Sequence, residues 1–270
     1  MKHARCALAI MVCAVMVGCN PIDVPASPPP TTTPIIVYHT ADTQALINAI
    51  AVSEFALNFR AELHPEQQSY EMLLSQVSDD TIPFFVTHHN PTDAPETLST
   101  LPLVQDGLAI IKHPDNTVTT LSRDDLQQIY RGFITDWREL GGNEATITLY
   151  TRPESSALRL EFDRLVMGQQ RITPNAQILT STEQMLARIA DDESAIGYVP
   201  ISSLQSTDVS FVIDGIAPTV EALSEQRYPL RMTIYAIGQD TEETIYRDLF
   251  IWVQNMSLDD FDAQFVPLLP

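Results

Sequence analysis

Apolar positions follow two spacings along residues 35–270. Short runs rich in β-branched residues have the length of strands: Ile35–Tyr38, Thr81–Thr87, Thr146–Tyr150, Ala195–Pro200, Val209–Ile213 and Met232–Gly238. Between them apolar residues recur at helical spacing, which predicts helices over Gln44–Arg60, Glu66–Gln76, Arg123–Tyr130 and Thr241–Gln254, and two more beginning near Ser156 and Thr180. Leu101–His113 is a longer apolar strand with Gly107 inside it. Alternation of strands and helices predicts an α/β protein with two lobes and a cleft. A ligand is then expected at strand C-terminal ends and helix N-termini.

The helix after Tyr150 is the most informative element. Leu158, Phe162, Leu165 and Val166 fall at i, i+4, i+7 and i+8, one helical face. Ser155 or Ser156 is the natural N-cap. Arg159 then stands at the third helical position, where a capping box would place Glu or Gln and where a cation opposes the helix dipole. One reading is an anion at this helix start, held by backbone N–H groups, Ser155, Ser156, Arg152 and Arg159. The other is ordinary ion pairing, Arg159 with Asp163 and Arg152 with Glu154.

Motifs around this helix resemble those of the phosphate-binding proteins that serve ATP-driven phosphate importers. The resemblance rests on Tyr130-Arg131-Gly132-Phe133-Ile134-Thr135-Asp136-Trp137 with Gly141-Gly142, and on the loop Thr151-Arg152-Pro153-Glu154-Ser155-Ser156-Ala157-Leu158-Arg159. Ser194–Val199, Val212–Thr219 and Tyr228-Pro229-Leu230 extend it, so that it covers roughly residues 101–238. In the loop both arginines and the central serine match the family, whereas Ser155 and Ala157 replace glycines and Leu158 replaces a threonine. The resemblance implies a two-lobed, type II periplasmic-binding-protein-like fold with a central ligand cleft. It implies a phosphate or related oxyanion ligand, an ABC transporter permease as partner, no cofactor, no metal and no catalysis. It places one lobe at about 35–101 and 209–270, the other at about 109–203, with the 101–113 strand crossing between them. By the same resemblance the first turn, after Tyr38, offers Thr40 and Thr43 to the ligand.

Asp42 is awkward in that turn. As a helix N-cap it is harmless; beside a dianion it is unfavourable unless a proton is shared. His88 and His89 read either as anion donors or as solvated loop histidines. With no HExxH or carboxylate spacing near them, a metal role is not supported. Thr180 with Glu183 fits a capping box.

Met1–Gly18 reads as a leader: Lys2 and Arg5, an apolar stretch from Ala7 to Val17 too short to span a bilayer, then Gly18 before Cys19. Gly18-Cys19 resembles a lipobox, implying cleavage before Cys19, lipidation of that cysteine and attachment to a membrane; a plain secretory peptide is the alternative. Residues 19–34 carry prolines at 21, 25, 28, 29, 30 and 34 and read as an extended tether. Cys6, Cys13 and Cys19 are the three cysteines of the chain, so residues 20–270 form no disulfide. The net charge of −20 disfavours nucleic acid and repels anions at long range. An anion site must therefore act through short hydrogen bonds, since charges beyond about 10 Å are screened. The expected function is extracytoplasmic capture of phosphate or a related oxyanion. A sensor or partner-binding lipoprotein that kept the fold and lost the ligand is the second class. Ser156 lies in no Gly-x-Ser-x-Gly motif, and no Ser-x-x-Lys motif supports an enzyme.

Overall fold

The computed structural model describes residues 33–51, 61–91, 97–239, 244–255 and 265–268. The leader, Cys19 and nearly all of the tether lie outside these residues, as does 52–60 of the first predicted helix. In chain order the elements are β1 (Thr33–His39), α1 (Gln44–Ala51), β2 (Ala61–Gln67), α2 (Tyr70–Ser78), β3 (Phe84–Thr87), β4 (Ser99–Lys112), β5 (Thr120–Leu121) and α3 (Arg123–Arg131). There follow β6 (Thr148–Thr151), α4 (Ala157–Phe162), β7 (Gln177–Ile178), α5 (Thr182–Asp191), β8 (Ala195–Pro200), β9 (Val212–Ile213), α6 (Val220–Ser224), β10 (Arg231–Gly238), α7 (Thr244–Gln254) and β11 (Val266–Pro267).

One mixed sheet runs β2-β1-β3-β10-β4-β8-β6-β7, with β11 also on β4. β1 is parallel to β2 and β3, and β10 is antiparallel to β3 and β4. β4 joins the two ends of the sheet. Ser99–Gly107 pairs with β10, and Leu108–Lys112 then pairs with β8. Its side chains change core at the same point: Leu103 and Val104 pack with Ile35, Val37, Leu46 and Ile234, whereas Leu108–Ile111 pack with Tyr130, Phe162 and Tyr198. These two apolar clusters are the cores of the two lobes. Gly107 sits at the crossing, where a Cβ would come within 2.5 Å of Ile201 Cδ1.

Local chemistry explains the helix starts. Ser122 and Asp125 close a capping box on α3, and Gly132 ends that helix at φ 80°. Ser69 caps α2, accepting from the Met72 amide at 3.4 Å, which moves the start of the helix expected over 66–76 to Tyr70. The residues before it form β2 instead, an edge strand paired with β1 and containing Pro65, a position that edge strands tolerate. Because one neighbour suffices there, its sequence lacks the alternation that marks a strand. Residues 209–230, assigned from the sequence to the first lobe, contribute Phe211, Ile213, Leu223, Tyr228 and Leu230 to the second core. β9 lies beside β5 there, and the Tyr228 hydroxyl donates to the Leu108 carbonyl at 2.8 Å.

Candidate functional site: a polar cleft between the lobes

α4 belongs to one lobe and touches both. Leu158 and Phe162 enter the second core, where Phe162 stacks on Tyr198 at 4.3 Å. Ala157 and Leu160 pack with Tyr70, Leu73, Phe85 and Ile237 of the first lobe. The helix starts at Ser156, whose backbone is extended (φ −78°, ψ 133°) and whose side chain caps nothing. It continues into a π turn at Asp163–Met167, a form common near functional sites.

In front of this helix start lies a cavity of about 330 Å³. The first lobe contributes Thr40, Asp42, Gln68 and Tyr70 to its lining; the second contributes Ser155, Ser156 and Thr180. A larger cavity of about 590 Å³ is lined by Glu161, Arg164, Gln226 and Arg231. Its two arginines are already engaged, Arg164 by Glu161 and Arg231 by backbone carbonyls.

Arg152 is 1% exposed and lies directly behind that lining. Its amide donates to the Tyr198 hydroxyl at 3.1 Å, and that hydroxyl also meets Thr151 Oγ1 at 2.9 Å. Burial pushes the Tyr198 phenol up to about 12, so it stays neutral. Arg152 Nη2 donates to Thr182 Oγ1 at 2.8 Å and lies 3.3 Å from Asp42 Oδ1 across the cleft. Thr182 Oγ1 donates to the same Asp42 oxygen at 3.4 Å, and Ser156 Oγ to Oδ2 at 3.5 Å. Arg152 Nε and Thr40 Oγ1 are buried without a partner, which leaves two polar groups beside the cavity to be satisfied.

The expected residues divide accordingly. Thr40, Ser155 and Ser156 come together on the cavity, with Arg152 behind them. Thr43 does not present its hydroxyl there; it donates to the Thr40 carbonyl at 2.9 Å. Arg159 follows the ion-pair reading: Nε is 2.9 Å from Asp163 Oδ2, and Nη1 donates to the Arg152 carbonyl at 3.3 Å. Burial lifts Asp163 above its ordinary value despite this pair. Asp42 is not a cap. Thr40 takes the N-cap position of the short 3₁₀ turn at Ala41–Thr43, and Asp42, 5% exposed, reaches across to Arg152. Sequence reasoning missed Thr182, although a hydroxyl at a helix start facing the cleft was a signal for it. Ser181, rather than Thr180, caps α5.

His88 is not solvated, and His89 is half-buried. His88 is fully buried, and its Nε2 donates to Asp106 Oδ2 at 3.1 Å; Asp106 also accepts from the Gly107 amide and from Ser202. That network ties β3 to the crossing point of β4. His89 Nδ1 donates to Glu161 Oε1 at 2.7 Å, first lobe to second. Burial raises the Glu161 carboxyl, but the His89 bond and the Arg164 pair outweigh it and hold the group below its usual range.

Residues 26–255 match the family model of the PBP superfamily domain, and the chain belongs to that superfamily. Among its relatives, the phosphate-binding protein PstS of Bacillus subtilis (strain 168) is 34% identical over 126 residues, 46% of this chain and 41% of that protein. The match thus spans less than half of that relative's length. The solved structure of a candidate phosphate ABC transporter substrate-binding protein from Clostridium perfringens, with bound phosphate, superposes with a TM-score of 0.79 at 20% identity, covering 88% of this chain and 100% of that one. An ABC-type phosphate transport receptor from Vibrio cholerae gives 0.69 at 22%, covering 87% and 100%. These structures share the two-lobed fold.

Proposed function

We propose that the chain is an extracytoplasmic solute-binding protein that captures phosphate or a related oxyanion for an ABC importer. The observation that carries this reading is the convergence of Ser155, Ser156, the unpartnered Thr40 hydroxyl and the uncapped start of α4 on one cavity, with Arg152 and its unpartnered Nε behind. Backbone N–H groups, hydroxyls and a guanidinium are the donor set an oxyanion requires. The names of the Bacillus, Clostridium and Vibrio proteins support phosphate as the first anion to try. Capture proceeds by closure of the lobes over the anion, with water excluded and no bond made or broken. On this reading Cys19 carries the lipid that holds the domain at the membrane and a permease receives the anion; mass spectrometry of the mature N-terminus tests the anchor. Among the described residues no helix is long and apolar enough to cross a membrane.

Calorimetric titration of the full-length protein with phosphate, sulfate, arsenate and a phosphomonoester tests the ligand. Saturable binding of phosphate is the expected result; heat from none of them would falsify anion capture. One observation favours the second reading, a sensor or partner-binding protein on this fold: Arg152 already has a carboxylate on it.

A further inference from the structure

The carboxylate on Arg152 comes from the opposite lobe. Asp42 lines the cavity and Arg152 does not, so the aspartate stands between the guanidinium and anything in the cleft. It takes three second-lobe donors at once: Arg152 Nη2, Thr182 Oγ1 and Ser156 Oγ. Thr40 stands at the N-cap position of the turn that holds Asp42 but makes no side-chain cap bond, and among the described residues the Asp42 carboxylate has its partners in the second lobe. An oxyanion seated on Ser156 and Arg152 draws on donors that Asp42 already uses. The two negative groups also repel, and Asp42 is 5% exposed, so solvent screens that repulsion only weakly.

We propose that Asp42 is a built-in competitor of the bound anion: it latches the two lobes through Arg152, and an incoming anion must displace it. The proposal rests on the anion-capture reading and sharpens it, since it makes Asp42 the residue that sets affinity. The docking of α4 on the first lobe does not depend on Asp42 alone. His89–Glu161 at 2.7 Å and the packing of Ala157 and Leu160 against Tyr70 and Phe85 span the same gap. Loss of the Asp42 charge should therefore change binding without abolishing the fold.

The test compares the full-length wild type with Asp42→Asn by calorimetric titration against inorganic phosphate and sulfate. The expected result is at least a tenfold gain in affinity of D42N for both anions, larger for sulfate, which brings no proton to share. Circular dichroism checks folding, and Asp42→Ser, which leaves room for water on Arg152, replaces D42N if the asparagine variant does not fold. Unchanged affinity, or weaker phosphate binding in the variant, overturns the competition and leaves anion capture standing. If wild type and variant both bind neither anion, anion capture fails and the competition fails with it.

Discussion

At the scale of single residues, the two arginines of the loop have different tasks. On the anion-capture reading Arg152 is the cationic centre, while Arg159 braces the loop by gripping Asp163 and the Arg152 carbonyl. Arg152→Ala removes a charge-assisted donor contributing about 1.5–3 kcal/mol, so phosphate affinity should fall roughly ten- to a hundredfold. It also leaves Asp42 buried and unpaired, a destabilisation of about 3–5 kcal/mol. Arg159→Ala should instead cost about 1–3 kcal/mol of stability with a smaller effect on binding. Paired melting curves and titrations check both, and a larger binding loss in the Arg159 variant would reverse the assignment. The sequence showed that Arg152, Ser155 and Ser156 lie at a helix start. It could not show what faces them, because Asp42 is over a hundred positions away and its partner depends on how the lobes meet. Arg159 was ambiguous for a related reason: a cation in a first turn suits either an anion or an acid one turn on, and only the buried geometry chooses Asp163.

At the scale of elements, local signals sufficed wherever chain neighbours decide the structure. The α3 span, the β8 run and the apolar face of α4 are all where their patterns put them. β2 was illegible because its pairing with β1, rather than its own alternation, makes it a strand. Phe211, Ile213, Leu223, Tyr228 and Leu230 pack in the second core, since adjacency in sequence to β10 does not fix which core apolar residues enter. α4 is the element on which the lobes meet, and Glu161 is its polar contact. Glu161→Gln keeps the shape but weakens the bonds from His89 and Arg164. It should lower stability by about 1–3 kcal/mol and leave α3 and β8 unaffected. Hydrogen exchange that speeds up in α4 and α2 alone is the expected pattern; uniform acceleration would show that the pair does not act locally.

For the whole molecule, acid is the expected weakness. Burial holds His39 below its ordinary value, partly offset by its bond to the Thr40 carbonyl, so the folded state favours the neutral ring. The unfolded chain binds that proton more readily, and stability should decline as pH falls below about 6.5. Glu161 is depressed, so its contribution is complete above the unfolded carboxylate value and is lost as pH falls through its lower folded value. Melting temperature should therefore drop in two stages, below about pH 6.5 and again below about pH 4.5. His39→Gln should remove the first stage only.

β4 gives the two cores a shared wall. Its first half is a wall of one and its second half a wall of the other, with a single peptide between Gly107 and Leu108. Neither core can lose its strand while the other keeps its own register, since the His88–Asp106–Ser202 bonds pin the junction. The lobes thus have separate cores but share one strand, and calorimetry is expected to show them unfolding in a single transition rather than two. A lesion at the junction is felt in both halves, however far it lies from the cavity.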